Sequence, residues 1–597
     1  MNEGRWNLDA LYTGFDSGKF KRDMARLDEV NGMLGAEAKR LAGRSPKENL
    51  MAIVPLLEEH KLLSCALSDY CLFRQTTDSS DGAAASANGR VNMLSGAAAR
   101  AMSEITRYIA SISIEELDEA MAGEPGLTQY RNYFRREKQR TQHLLTGDGE
   151  DVAAKYDVSG GKTWEKLQAY ETSGVTEELK GKSLSLTELR NLAYDPDGSV
   201  RKAAYAVRKA AYEAELKCYD KIKGPVAFAL NSIKLQSISE CELRGFDSVL
   251  DKSLFMADMK RDTLDALWGA IEEYLPVFHS YYKAKGEALG YKNGLPWHEI
   301  FAPMGSSNRT FNIEQAREYI VNVFSTFDGE LADTASRAFA EDWIDVYPRK
   351  GKVGGAYCMP AFGTGEFRIL TNFGGLFGDV VTLAHELGHG FHEMQIKNNG
   401  ALNRNYSMPV AETASNFNEN LLVSYAIDHA ESDDEKLMLI ENRLQNAALV
   451  VCDIYSRFLF EKEVCERRSD SFMLPDELCD IMLASQKRAY GDGLDQSTLN
   501  PYMWVCKVHY YSTDLAFYNY PYTFGGLLAR GLYEKYLKEG ADFLPKYKAM
   551  LRETPMLSVE DSAGICGIDV SGRDFWRGSL EALKKDIEMF KKLVKQG

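Results

Sequence analysis

The sequence of 597 residues predicts a mainly helical protein with one small β element. Apolar residues recur at spacings of three and four over most of its length, which is the period of an amphipathic helix. The clear exception is the stretch from 351 to 376, where seven glycines separate β-forming runs (AYCMPAF and FRILTNF). We expect a small sheet or hairpin there, because short runs of β-branched and aromatic residues bounded by glycines favour strands.

The composition is that of an ordinary globular protein, with 45% hydrophobic and 26% charged residues. A formal net charge of −16 argues against nucleic acid or an anionic membrane as a partner, since both attract a basic surface. No apolar run is long enough to cross a membrane as a helix, and MNEGRWNLDALY lacks the features of a signal peptide. Ten cysteines lie scattered without a CxxC pair, which is typical of a reducing compartment, so we expect a cytoplasmic protein.

Breaks in the helical pattern divide the chain into three predicted regions. Residues 1–125 form an N-terminal helical region, which ends at the breaker Glu124-Pro125-Gly126. Residues 126–195 form a second helical block, and its basic run RNYFRREKQR is expected to be a solvated helix face. Residues 196–597 form the third region, which opens with the turn Pro196-Asp197-Gly198.

Two expectations concern the first half of this third region. The segment 262–289 has the pattern of an amphipathic helix that Pro276 should kink or divide. His298 and Glu299 follow a glycine- and proline-containing stretch, and we interpret them as part of a surface loop and not as chemistry.

A hydrolytic metal site is predicted within residues 379–395, DVVTLAHELGHGFHEMQ. His385 and His389 are four residues apart, so a helix places both imidazoles on one face, within reach of one ion. Glu386 can reach the water on that ion as a general base without binding the metal itself. Apolar residues and glycines surround the motif, as in a buried helix. The alternative is a helix with a satisfied pair of core histidines.

A third metal ligand is expected at Glu412, in SMPVAETASNFNEN. Ser407 and the proline after it favour the start of a new helix, and the loop KNNGALNRN precedes it. Two antiparallel helices would then bring Glu412 back beside the histidines. Asn416 and Glu419 share its face, and one of them could accept a hydrogen bond from a ligand histidine. The alternative for Glu412 is a solvated carboxylate at a helix start.

Two further stretches of the sequence could contact a peptide substrate. An extended strand edge within 351–376 could bind one as an added strand, although an ordinary glycine-rich turn is the alternative. The segment HYYSTDLAFYNYPYTFG, residues 509–525, offers imidazole and phenol donors of the kind that an oxyanion requires. Gly525 and Gly526 would let this segment shift. Packing of the tyrosines in an aromatic core is the alternative.

Several of these stretches together resemble the thimet oligopeptidase and oligoendopeptidase F family of zinc metallopeptidases. The resemblance is carried by HELGHGFH, by AETASNFNE, by GKVGGAYC at 351–358 and by the tyrosine-rich segment. WNLDALY at 6–12 is similar to oligoendopeptidase F relatives in particular. The likeness therefore extends over nearly the whole chain.

The resemblance implies a role for each matching residue. The metal ligands would be His385, His389 and Glu412, with one Zn²⁺ per chain, and Glu386 would be the base. The residues that contact substrate or hold the oxyanion would be drawn from His509, Tyr518, Tyr520 and Tyr522, and we rank Tyr520 and Tyr518 ahead of Tyr522. His392 also matches a family histidine, and its place three residues after His389 suits orienting neighbours better than binding metal.

The same resemblance implies a zincin-like fold of two helical lobes around a deep cleft. Residues 126–195 would be the oligopeptidase F N-terminal-like block, and residues 196–597 the catalytic domain. The expected function is zinc-dependent hydrolysis of internal bonds in short oligopeptides. The alternatives are a zinc hydrolase of another amide substrate, a carboxypeptidase-like activity, or a peptide-binding protein with an inactive metal site.

Overall fold

Helices form most of the computed structural model, which describes residues 4–192, 201–307 and 309–596. The predicted turn at 196–198, with the boundary beside it, lies outside the described residues, and the division into three regions stays a prediction. Several helices start at a capping box, as at Ser45 with Glu48 and at Asn312 with Gln315. Among the described residues, none of the helices is both long and apolar enough to cross a membrane.

The first half of the chain contains the following helices: α1 Gly18–Ala38, α2 Pro46–Thr77, α3 Gly82–Ala97, α4 Ala99–Ser111, α5 Ile114–Met121, α6 Pro125–Thr128, α7 Arg131–Thr141, α8 Gly147–Ser159, α9 Gly161–Gly174, α10 Leu186–Asn191, α11 Arg201–Arg244, α12 Val249–Met256 and α13 Arg261–Ala288. A hairpin of β1 Thr176–Leu179 and β2 Lys182–Ser185 lies between α9 and α10. The basic run lies on α7, where two of its arginines contact Asp118, so part of the predicted solvated face is neutralised by a neighbouring helix.

The second half contains these helices: α14 Ile313–Ser325, α15 Gly329–Ala340, α16 Phe377–Ile396, α17 Met408–Ala411, α18 Thr413–Asp428, α19 Asp433–Ala448, α20 Ile454–Arg468, α21 Pro475–Tyr490, α22 Met503–Cys506, α23 Tyr520–Glu539, α24 Leu544–Glu553, α25 Val559–Ile565 and α26 Arg573–Gln596. One turn of π-helix, Leu449–Asp453, joins α19 to α20. The largest buried cluster draws on α13 to α19 and α23 to α26, and a second cluster lies between α11, α20 and α21. The mainly helical fold is therefore confirmed.

The predicted β element is a three-stranded sheet in the order β3-β5-β4. Its strands are β3 Ile344–Asp345, β4 Tyr357–Ala361 and β5 Glu366–Leu370, with β4 antiparallel and β3 parallel to β5. The sheet packs directly on α16, because a Cβ atom at Gly390 would lie 2.5 Å from the ring of Phe367. β4 is an edge strand of this sheet, at the position where the sequence predicted one.

The structure bears on two expectations for the third region. Pro276 does not divide its helix, since α13 continues through it from Arg261 to Ala288, and the kink stays a prediction. The expectation of a surface loop at His298 and Glu299 is wrong, because both residues are buried. The carboxylate of Glu299 accepts two hydrogen bonds from the Arg208 guanidinium, at 2.9 and 2.8 Å. This paired arrangement satisfies both charges away from water.

A cavity of about 1260 Å³ lies among helices drawn from α11 to α26. Residues from α16, α18, α19 and the stretch 302–307 line it, and so do Arg208 near the start of α11 and Leu583 of α26. The cleft implied by the sequence resemblance is therefore present, and the predicted metal-site helix forms part of its wall.

At Gly388 the helix α16 lies very close to the backbone of its neighbour α18. A Cβ atom there would lie 2.6 Å from the carbonyl oxygen of Ala414 and 2.6 Å from the Cα atom of Ser415. Real Cβ atoms do not come so near to a backbone, and both partners are backbone atoms that cannot rotate away. The glycine between Leu387 and His389 therefore sets the spacing of the two helices.

We predict that Gly388→Ala forces α16 and α18 apart and lowers the free energy of unfolding by about 1–3 kcal/mol, the usual cost of overpacking. The matched control is Gly378→Ala on the same helix, where an added Cβ atom meets nothing within 4 Å. Its effect should stay within about 1 kcal/mol, since alanine favours the helix. Denaturant unfolding of both variants measures the difference, and equal stabilities would contradict the close approach.

Candidate active site

The helix α16 presents His385 to the cavity because its apolar face packs in the core. It begins after Leu376, whose backbone N–H donates to the Asp379 carboxylate at 2.9 Å. The residues that it buries in the core include Val380, Leu383, Ala384, Leu387 and Phe391. These apolar residues form one face of the helix. The helical period therefore places the predicted metal ligands His385 and His389 on the opposite face of α16.

Three ligand atoms converge at the predicted metal centre. The Nε2 atoms of His385 and His389 lie 3.2 Å apart. Oε2 of Glu412 lies 3.3 Å from the first and 3.4 Å from the second. No other group of three or more such side chains converges in this way among the described residues. Two imidazoles and a carboxylate at these separations fit the donor set of a catalytic zinc site that keeps an open position.

Glu412 reaches this centre because the helix breaks at its position. It is the junction between α17 and α18, with φ −88° and ψ 6°, and the hydroxyl of Ser415 donates to its Oε2 atom at 2.9 Å. On its other side α23 comes close, since a Cβ atom at Gly525 would lie 3.1 Å from Cβ of Glu412. Gly525 and Gly526 are thus inside a helix, and the first permits close packing. The expectation that they let the segment shift stays a prediction.

Glu419 contacts the ring nitrogen of His385 that faces away from the ligand centre. Its Oε1 atom lies 2.5 Å from Nδ1 of His385, which leaves Nε2 directed at the centre. Asn416 lines the cavity, and of the two residues predicted for this role it is Glu419 that makes the contact. Burial by itself lowers the pKa of His385, but the hydrogen bonds to Glu412 and Glu419 outweigh it and raise that pKa to about 10. The surroundings therefore favour positive charge at this point, as a cation site requires.

Glu386 lines the cavity beside His385 and is only 6% exposed. Burial raises the pKa of its carboxyl, and the neighbouring carboxylates of Glu412 and Glu419 add to this effect. The neighbouring His385 and His389 lower the pKa of Glu386. A carboxylate whose proton affinity is raised is a better proton acceptor than one in water.

His392 is turned away from the ligand centre. It is fully buried, and its Nε2 atom lies 2.8 Å from Oγ1 of Thr554 and 3.1 Å from the carbonyl oxygen of Leu551. Its ring stacks on Tyr406 at 4.2 Å. His392 therefore contacts α24 and the loop before α17, in keeping with the expectation that it orients neighbours.

The tyrosine-rich segment divides into a cluster and an outlier. The rings of His509 and Tyr518 are 5.2 Å apart, and Tyr522 lies 5.4 Å from Tyr518 and 6.1 Å from His509. Burial, followed by the interaction with Tyr518, raises the pKa of Tyr522, and the charge of Glu412 also contributes. Tyr522 lies one turn before Gly525 on α23, and Gly525 is the residue that approaches Glu412, so α23 connects the cluster to the ligand centre.

Tyr520 is the outlier. Only 1% of it is exposed, and its hydroxyl lies 3.3 Å from both the carbonyl oxygen and Oγ of Ser253 on α12. The sequence ranked it first with Tyr518, and the structure separates the two. Sequence reasoning also missed the packing role of the glycines at 388 and 525, although a small residue inside the motif was a usable signal for close helix packing.

A helical scaffold with two histidines and a glutamate converging on one point, and a further carboxylate beside them, defines a class of hydrolases. Comparison with known proteins identifies the family within this class. The chain matches peptidase family M3 over residues 200–553 and oligopeptidase F over residues 109–176. Because the first match covers more than half of the sequence, the chain belongs to peptidase family M3.

Individual relatives point the same way. The chain is 24% identical to an oligoendopeptidase F homologue of Lactococcus lactis over 79% of this chain and 78% of that protein. It is 22% identical to the oligopeptidase PepF of Bacillus subtilis over 88% of this chain and 78% of that protein. The crystal structure of oligoendopeptidase-F from Enterococcus faecium has the same fold, with a TM-score of 0.71, 16% identity and coverage of 97% and 99% of the two chains. The resemblance noted in the sequence is confirmed, and the protein is a peptidase.

We predict that Glu419→Gln weakens zinc affinity by about 10–100-fold, the usual cost of losing the partner that orients a ligand histidine. Glutamine keeps the volume and one acceptor but removes the negative charge at Nδ1 of His385. The control is Asn416→Ala, which changes the same helix without touching a ligand histidine. Competition against a chromophoric chelator measures both variants. Unchanged affinity in Glu419→Gln would contradict the assignment.

Proposed function

We propose that the chain is a zinc-dependent endopeptidase that hydrolyses internal bonds of short oligopeptides. The observation that carries the proposal is the convergence of His385, His389 and Glu412 beside a deep cavity, with Glu386 at its edge. The membership of the chain in a peptidase family supports the reaction class. The zinc ion, the role of each residue and the internal position of the cleaved bond are the parts that we propose.

When bound, zinc would supply the Lewis acidity that polarises a carbonyl group and lowers the pKa of a water molecule. Glu386 takes the proton from the attacking water and delivers it to the nitrogen of the leaving amine. Its raised pKa suits both halves of this transfer. Glu419 keeps His385 in the tautomer that has Nε2 free towards the centre.

Donors to the developing oxyanion are supplied by the cluster of His509, Tyr518 and Tyr522. The three rings lie together, and each carries a polar N–H or O–H group. We withdraw Tyr520 from this role, because its hydroxyl is engaged with Ser253 in the core. The order of preference becomes Tyr518 and Tyr522, with Tyr520 as a packing residue.

The cavity and the sheet together favour short, extended substrates. A cavity of about 1260 Å³ inside a helical body admits an unfolded segment and excludes a folded domain. The edge strand β4 adjoins α16 and can pair with a substrate backbone, which gives binding without strong side-chain selection. All ten cysteines are free thiols, which supports the proposed cytoplasmic location.

A chelator-sensitive cleavage assay on an internally quenched peptide of about ten residues tests the proposal, since pockets of this size enclose most of such a ligand. We expect cleavage that stops on chelation and returns with stoichiometric Zn²⁺. Mass analysis of the products separates internal cleavage from the carboxypeptidase-like alternative, which releases single terminal residues. An enzyme that cleaves only non-peptide amides, or a protein that binds peptide without turnover, would overturn the proposal.

We predict that Glu386→Gln retains zinc near one equivalent and lowers kcat by at least about 10²–10⁴-fold, because only proton transfer is lost. His385→Ala, His389→Ala and Glu412→Ala serve as the contrasting set, and they should lose the metal itself. Metal analysis and peptide turnover on the same samples distinguish the two outcomes. A Glu412→Ala variant with tight zinc and full activity would show that the third ligand is wrong.

We predict that Tyr518→Phe or Tyr522→Phe lowers kcat by about 10²-fold with little change in KM or zinc content, the pattern of a lost transition-state donor. Tyr520→Phe is the matched control from the same segment. It should leave kcat near normal and cost about 1 kcal/mol of stability through its lost hydrogen bond. If all three variants and His509→Ala turn over peptide at the parental rate, the segment has no part in catalysis.

A further inference from the structure

The backbone between His509 and α23 is irregular, and two carboxylates from other helices hold it. The backbone N–H of Thr513 donates to Oε1 of Glu165 on α9 at 2.7 Å. Four residues later, the backbone N–H of Phe517 donates to Oε1 of Glu461 on α20 at 3.0 Å. An irregular segment needs such partners, because its own peptide groups cannot satisfy each other.

Glu461 is the more deeply buried of these two anchors, with no exposed surface. Besides Phe517 it accepts a hydrogen bond at Oε2 from the side-chain amide of Asn519, at 2.8 Å. Its charge is balanced by Lys234 of α11, whose Nζ atom lies 2.6 Å from Oε1 and which is equally buried. Every strong donor around the carboxylate is thus either the lysine or a residue next to Tyr518.

The segment that Glu461 holds is strained. Phe517 has φ +54°, in the left-handed region that a bulky residue rarely adopts. Such a conformation costs about 1–3 kcal/mol and persists only where the surroundings impose it. The ring of Phe517 is buried against Phe458 at 5.7 Å, and the carboxylate fixes its backbone N–H. Tyr518 follows directly, between two residues that one carboxylate holds in place.

We infer that Glu461, charge-balanced by Lys234, is a positioning residue for the proposed peptidase reaction. It sets the backbone on both sides of Tyr518 and so holds the phenol beside His509 and Tyr522. Glu461 touches no substrate and acts only through the segment 517–519. The inference rests on the proposed function, because it assigns Tyr518 a role in the reaction.

Replacement of the carboxylate by an amide tests this role with almost no change in volume. In Glu461→Gln one end of the side chain becomes a donor, and it must face Lys234, the Phe517 N–H or the Asn519 amide. One contact is then lost whichever way the amide turns. We expect kcat to fall at least about 10-fold with KM within about twofold, since small misplacements of a reacting group carry large penalties in rate.

A double-mutant cycle separates positioning from a general loss of stability. If Glu461 acts through Tyr518, then Glu461→Gln in a Tyr518→Phe background should lower kcat by less than about threefold, because the donor is already absent. Additive losses, with the full effect of Glu461→Gln retained in Tyr518→Phe, would overturn the inference.

A matched control is available in a second buried pair. Glu441 of α19 is also fully buried and accepts from Nζ of Lys285 at 2.5 Å and from the hydroxyl of Tyr281 at 3.1 Å. Glu441→Gln should destabilise the protein to a similar degree and leave kcat of the folded enzyme within about twofold, because no donor to the oxyanion depends on it. An equal loss of kcat in both variants would assign Glu461 a merely structural role.

Asn519→Ala provides a second variant should Glu461→Gln fold poorly. It removes the contact to Oε2 and also the N-cap hydrogen bond that Oδ1 of Asn519 accepts from the backbone N–H of Tyr520 at 2.7 Å. It should lower kcat in the same direction by about 3-fold or more, again with KM little changed. Both variants are assayed well below their unfolding temperatures and corrected for the folded fraction. A parent enzyme without peptidase activity would refute the proposed function, whereas an active parent and a fully active Glu461→Gln would refute only the inference.

Discussion

The candidate metal centre depends on helices that approach each other more closely than side chains normally allow. Histidine and glutamate are short compared with the usual 8–10 Å between helix axes, so ligands from two helices meet only where the backbones come near. Gly388 permits this approach between α16 and α18, and Gly525 permits it between α23 and Glu412. Both contacts lie within one turn of a ligand. The geometry of the donor atoms is therefore a consequence of helix packing.

Around this centre, charges are buried in pairs. Glu461 with Lys234, Glu441 with Lys285 and Glu299 with Arg208 each remove two charges from water. Such pairs add little to stability compared with apolar packing, and breaking one leaves an uncompensated charge. Their contribution is orientation. A carboxylate that accepts directional hydrogen bonds fixes the position of the donor groups around it, whereas apolar contact does not. The tyrosine segment lies next to one of these pairs, where orientation matters most.

The sequence predicted best where regular geometry decides the outcome. A helix fixes the relation of residues four apart, so the histidine pair followed from spacing, and Glu412 followed from a turn and a second helix. The sequence predicted the positions of side chains poorly where the backbone is irregular. Phe517 adopts a left-handed conformation, Tyr520 is buried in the core and Tyr518 and Tyr522 cluster with His509, and no periodicity encodes that arrangement. Glu461 was missed because its partners are remote in sequence, and His298 because burial of a loop depends on tertiary contacts.

The ion pair between α11 and α20 has a consequence for the synthesis of the chain. Lys234 precedes Glu461 by 227 residues, so a ribosome adding about 5–20 residues per second supplies the partner some 10–45 s later. Until then the lysine cannot be buried without a large penalty, and the face of α11 that carries it must stay in water. The buried cluster between α11, α20 and α21 is thus completed only after α20 has been synthesised. The last residues that this network needs, 517–519, leave the ribosome when most of the protein has already been made.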